Sequence, residues 1–144
     1  MEFSNEFFEE TESYGFTVSS EMKSVWAVIM NILIMSDIHG NIEALKSVNE
    51  YLKNQKIDKL MLLGDIIDYG PHSNEVIEFI SNLPYEIICN IWGNHEEAII
   101  KEEYEKFSSN RGRVSAMYTR SILNENSWKY LNNDMNAITT LTFL

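Results

Sequence analysis

The 144-residue chain has one cysteine, Cys89. It can form no internal disulfide and no all-cysteine zinc cluster. That agrees with a reducing compartment, and the expected location is cytoplasmic. Cys89 itself reads as a small buried residue in a strand. Long hydrophobic runs are also missing. The longest candidate, Val25 to Met35, is interrupted by Asn31 and falls short of the roughly 18–20 apolar residues that cross a membrane. The N-terminus is rich in glutamate and lacks the basic start of a secretory signal. Basic residues are few, 11 Lys and Arg against 22 Asp and Glu, for a net charge of −11. Such a field repels polyphosphate backbones, so long DNA or RNA is not an expected partner. There are no internal repeats and no low-complexity tracts.

What is present is globular. A hydrophobic fraction of 44% and an aromatic fraction of 12% are enough for one domain with a core. Residues 1–29 stand apart as an acidic N-terminal extension, with six glutamates facing a single Lys23. A far more regular pattern begins at Met30, and residues 30–144 read as the domain. Ile32–Met35 is a short apolar run closed by Ser36-Asp37-Ile38-His39-Gly40-Asn41, which predicts a buried parallel strand. Asn41 can cap a helix with Ala44, Leu45, Val48, Tyr51 and Leu52 on its inner face. Ile57–Leu63 predicts a second strand ending in Gly64-Asp65. Ser73 or Asn74 would cap the next helix, which Asn82–Pro84 breaks. Tyr85–Trp92 predicts a third strand ending in Gly93-Asn94-His95-Glu96, followed by a helix through Ile99, Ile100 and Tyr104. Residues 107–114 read as a polar loop, 114–132 as one or two helices, and 136–144 as strand-like. The alternation predicts an α/β fold, layered, with a largely parallel sheet.

Three segments share one feature. Each places Asp, Asn or His just after a predicted strand and beside a glycine: Asp37 and His39, then Asp65, then Asn94 and His95. Ligands of open α/β sheets bind beyond the carboxyl ends of the strands, so these groups converge. Two carboxylates, one carboxamide and imidazole suit Mn²⁺, Fe, Zn²⁺ or Ni²⁺. Carboxylates brought close repel unless they share cations, and Asp65, on the middle strand, could bridge two. Two ions about 4 Å apart can clamp a phosphoryl group and activate a water.

Asp37-Ile38-His39, Gly64-Asp65-Ile66-Ile67-Asp68-Tyr69-Gly70 and Gly93-Asn94-His95-Glu96 resemble the first three motifs of the calcineurin-like metallophosphoesterases, in their small bacterial and archaeal branch. The resemblance covers roughly residues 30–132 and implies the N-terminal half of a four-layer α/β/β/α sandwich. It implies hydrolysis of phosphomonoester or phosphodiester bonds by metal-activated hydroxide, with two divalent metal ions, Mn expected. Asp37 and His39 would bind the first ion, Asp65 would bridge, and Asn94 would bind the second and touch the phosphate. His95 would act beside the metals on the transition state or leaving oxygen. Asp68 would orient a neighbour. The substrate would be a small phosphorylated compound, compatible with the charge because a bound dication reverses the field locally.

Other polar residues have plainer readings. Glu96 falls in a first helical turn, where the dipole favours a carboxylate. His72 reads as an exposed loop residue rather than a substrate contact. Arg111 and Arg113 read as solvated loop residues before phosphate ligands. Trp92 either packs beside the metals or fills core. The resemblance also implies later histidines, but the three present are His39, His72 and His95. The second ion would keep only Asp65 and Asn94, a weak site. The expectation is a C-terminally truncated domain. The alternatives are an impaired fragment serving as a metal-binding or interaction module, and an oligomer or partner chain that supplies the missing half.

Overall fold

The computed structural model describes residues 30–136. The expectations for residues 1–29 and for the strand-like end beyond Asn136 lie outside the described residues. Three strands, β1 (Ile32–Met35), β2 (Lys59–Leu62) and β3 (Glu86–Asn90), form one parallel sheet in the order β1-β2-β3. The layered α/β expectation with a parallel sheet therefore holds. Ile32 pairs with Lys59 and Lys59 with Glu86, and an irregularity between Leu60 and Met61 shifts the β2–β3 register by one residue.

Strand β2 is central, and its alternation decides the core. Leu60 and Leu62 are fully buried, while Lys59 and Met61 are half-buried. Burying such a side chain contributes about 1.5–3 kcal/mol relative to leaving it exposed. Around them pack Ile66, Ile67, Val76, Ile80, Ile99 and Leu131. Strand β1 departs from the expected full burial. Among the described residues it is an edge strand, and Ile34 is 57% exposed. Cys89 is buried in β3, as expected.

Helix α1 (Ile42–Leu52) begins where expected, with the Asn41 side chain accepting the Ala44 N–H at 3.0 Å. Helix α2 (Ser73–Ser81) is capped differently. His72 holds the cap position without a side-chain bond. Ser73 Oγ instead accepts the Asp68 N–H at 3.1 Å. Asn74 ties α2 to a distant turn by accepting from Asn124 N and Ser127 Oγ and donating to the Ile122 carbonyl. Helix α3 (Asn94–Lys101) stops before Tyr104, because Glu102 takes a left-handed φ of 60° and closes the helix.

The loop expected over 107–114 gives way at Asn110 to helix α4 (Asn110–Ile122). Ser109 caps it by accepting the Gly112 N–H at 3.0 Å. Arg111 and Arg113 thus sit in a first helical turn, and Arg113 Nε donates to the Phe107 carbonyl. A short helix α5 (Glu125–Lys129) and a π-turn over Tyr130–Asp134 follow. The π-turn receives the Trp92 indole N–H at the Leu131 carbonyl, so Trp92 packs against the core. Ile91 and Asn136 form one parallel bridge beyond β3. No helix among the described residues is long and apolar enough to cross a membrane.

Candidate metal centre

The loops after β1, β2 and β3 meet at the carboxyl end of the sheet. Backbone bonds join the first two: His39 N–H to the Asp65 carbonyl at 2.9 Å, Gly40 N–H to Ile66 at 2.9 Å, and Gly70 N–H to His39 at 2.9 Å. Asp37, His39, Asp65, Asp68 and Tyr69 all have φ between 48° and 72°. Non-glycine residues seldom adopt this region, and a cluster of them points to a site held in shape by its surroundings.

His39, Asp65 and His95 each offer one donor atom within 4.8 Å of the others. Asp37 lies beside them, its carboxylate 3.7 Å from His39 Nε2 and its side chain 67% exposed. His39 Nδ1 lies 3.4 Å from the Ile67 carbonyl, which leaves Nε2 turned toward the carboxylates. Asn94 stands exposed as the first residue of α3. The structure thus gathers His39, Asp65 and His95, keeps Asp37 at their side, and leaves Asn94 toward solvent.

His95 is buried, and its Nδ1 lies 2.8 Å from Asp68 Oδ2. The orienting role expected of Asp68 has this geometry. Burial works to raise the Asp68 pKa, but bonds from His95, Ser115, the Tyr69 backbone and Thr119 outweigh it and hold the carboxyl below its usual range. Burial likewise works to lower His95, while the bond to Asp68 and the charges of Asp65, Asp68 and Glu96 leave it raised. A dication here would act in the opposite sense on His95.

Glu96 does more than its position in a helix start suggested. Its carboxylate accepts the Gly93 N–H at 2.8 Å, the expected cap. The same carboxylate accepts the N–H groups of Asp65 at 2.8 Å, Ile66 at 2.8 Å and Ile67 at 3.1 Å. It is fully buried and fastens the second loop to the third. Burial pushes its pKa up, against the pull of these bonds. The Asp65 carboxylate in turn accepts the His95 N–H at 3.0 Å.

Tyr69 was not singled out from the sequence. Its ring is 57% exposed, with its centroid 5.0 Å from that of His39 and 4.6 Å from that of His95. It borders an open cleft with Asp37, His39, Asn41, Pro71 and His72. His72 remains half-exposed, between Glu43 at 3.9 Å and Glu75 at 3.3 Å.

Strand-end carboxylates and imidazoles on a parallel α/β sheet make a candidate metal site. The chain matches the family model of the calcineurin-like phosphoesterases over residues 30–143 and belongs to that family. Among its relatives, the uncharacterized protein MJ0912 of Methanocaldococcus jannaschii is 33% identical over 69% of this chain and 40% of its own length. Serine/threonine-protein phosphatase 2 of Escherichia coli is 36% identical over 56% of this chain and 35% of its own. A metallophosphoesterase from Sphaerobacter thermophilus superposes with a TM-score of 0.52 at 30% identity, over 72% of this chain and 40% of that one. The chain thus spans about two fifths of these relatives. The family implies divalent metal ions, and the oxygen and nitrogen donors of His39, Asp65 and His95 fit one.

Proposed function

We propose that this chain carries the metal- and phosphate-handling core of a phosphoesterase that hydrolyses phosphomonoester or phosphodiester bonds of a small phosphorylated compound. The observation that carries the reading is the convergence of His39, Asp65 and His95, with Asp37 alongside, at the ends of three parallel strands. Divalent ions, with Mn²⁺ the first choice, would supply charge neutralisation and water activation. In this reading Asp37, His39 and Asp65 hold one ion, and Asp65 with Asn94 faces a second. The exposed Asn94 carboxamide is free to meet a phosphate oxygen. His95, with Nδ1 turned to Asp68, presents Nε2 to the leaving oxygen or the developing charge.

A second reading rests on the sparse ligands that face the second ion. Among the described residues Asp65 and Asn94 are the two placed to face the second ion, which suits a module that binds one ion without turnover. Hydrolysis of a chromogenic phosphodiester and a phosphomonoester by the purified chain with Mn²⁺ separates the two. Under the first reading Asp65→Ala lowers the rate by more than roughly 100-fold, since loss of a residue merely behind a ligand already costs about 10- to 100-fold. Activity that survives this substitution would sink the assigned chemistry. Metal binding with no turnover supports the module.

A further inference from the structure

We propose that Ser115 and Thr119, on the inner face of α4, are positioning residues for His95 and act on it through Asp68. The proposal rests on the hydrolytic reading of the site for its purpose, but not for its geometry.

Asp68 is fully buried. Its Oδ2 faces His95 Nδ1 at 2.8 Å. Its Oδ1 accepts the hydroxyl of Ser115 at 2.5 Å and that of Thr119 at 3.0 Å. Its own N–H is held by Ser73 Oγ. Both carboxylate oxygens are thus engaged, from two separate parts of the chain, and Ser73 holds the backbone from a third. Ser115 and Thr119 are four residues apart, so both point from one face of α4.

Helical serine and threonine hydroxyls commonly bond back to the carbonyl four residues earlier. Here both turn instead toward a carboxylate 47 and 51 residues away in sequence. Thr119 is 2% exposed, a place where valine would fill the same space, so packing alone does not call for a hydroxyl. Elsewhere on α4 the apolar Val114, Met117 and Tyr118 are exposed, which makes the polar inner pair the more distinctive.

The physical consequence is orientation. A carboxylate can rotate about its Cβ–Cγ bond. Two donors on Oδ1 remove that freedom and leave Oδ2 aimed at the imidazole. An oriented Oδ2 keeps the proton on His95 Nδ1 and leaves Nε2 facing His39 and Asp65. Without the hydroxyls Oδ1 would be a buried acceptor with no partner, and the carboxylate would swing to satisfy it.

Nitrogen-15 histidine NMR on the full chain at fixed pH reads this directly, because it resolves the His95 Nδ1–H proton and its tautomer. The variants are Ser115→Ala, Thr119→Val and their combination, with Thr119→Ser as the conservative control. The expected result is a protected, low-field Nδ1–H in the parent and in Thr119→Ser. Its exchange with solvent should quicken by on the order of tenfold for each hydroxyl lost. A folded double variant with the parent's signal and exchange rate overturns the proposal. Should the double variant not fold, Ser115→Ala decides, because that position is half-exposed and tolerates alanine. An unchanged signal there is equally fatal. The readout needs no turnover: altered signals in a chain that hydrolyses nothing leave the positioning role standing and the phosphoesterase reading fallen. Where turnover is measurable, kcat should fall while KM stays put.

Discussion

Glu96→Gln should destabilise the chain by about 3–6 kcal/mol, the loss of two charge-assisted hydrogen bonds at about 1.5–3 kcal/mol each. The carboxylate accepts four backbone N–H groups, from Asp65, Ile66, Ile67 and Gly93. Glutamine keeps one oxygen, which can serve two of them. Its amide NH₂ would then point at the other two donors, with no water to mediate at a fully buried position. A domain holds only about 5–15 kcal/mol in total, so the variant would sit near the edge of folding. Urea unfolding monitored by tryptophan fluorescence measures this. A midpoint shift worth less than about 1 kcal/mol, a typical neutral hydrogen bond, would show that the clamp does not matter. Under conditions where the variant stays folded, divalent-ion affinity should also drop, by roughly 10- to 100-fold, because the Asp65 and Gly93 backbones lose their shared anchor.

Gly64→Ala should be comparably damaging. Gly64 has φ +86° and its missing Cβ would lie 2.2 Å from Gly93 N and 2.4 Å from Gly93 Cα. The obstacle is backbone, which cannot swing aside as a side chain can. Left-handed strain of about 1–2 kcal/mol adds to overpacking of about 1–3 kcal/mol, for a loss of roughly 2–5 kcal/mol. The same unfolding experiment reads it. A stable Gly64→Ala chain with the parent's ion affinity would mean that the second and third loops are not pressed together as described.

The parts legible in the sequence were those written in local pattern. Apolar runs closed by glycine marked β1, β2 and β3, and Asn41 announced α1, because each signal lies within a few neighbours. Strand ends alone pointed to Asp37, His39, Asp65, Asn94 and His95 meeting in one place; of these the structure gathers His39, Asp65 and His95, with Asp37 beside them and Asn94 exposed. The cap of α2 did not, because Ser73 and Asn74 spend their side chains on Asp68 and on the turn before α5. The start of α4 was hidden because Gly112 and flanking arginines look like loop, although Ser109 three residues ahead of Gly112 was a usable cap signal. The full reach of Glu96 was out of sight for another reason. Three of its four partners lie about thirty residues away, and no periodicity encodes a bond between two loops. The same holds for Ser115 and Thr119 on Asp68.

The central claim is that Asp37, His39 and Asp65 hold a divalent ion in this chain, beside His95. Calorimetric titration of the metal-free chain with Mn²⁺, beside Asp65→Ala, tests it most directly. One saturable ion per chain, lost in the variant, is the predicted result. No saturable binding, or binding that Asp65→Ala leaves intact, would contradict it.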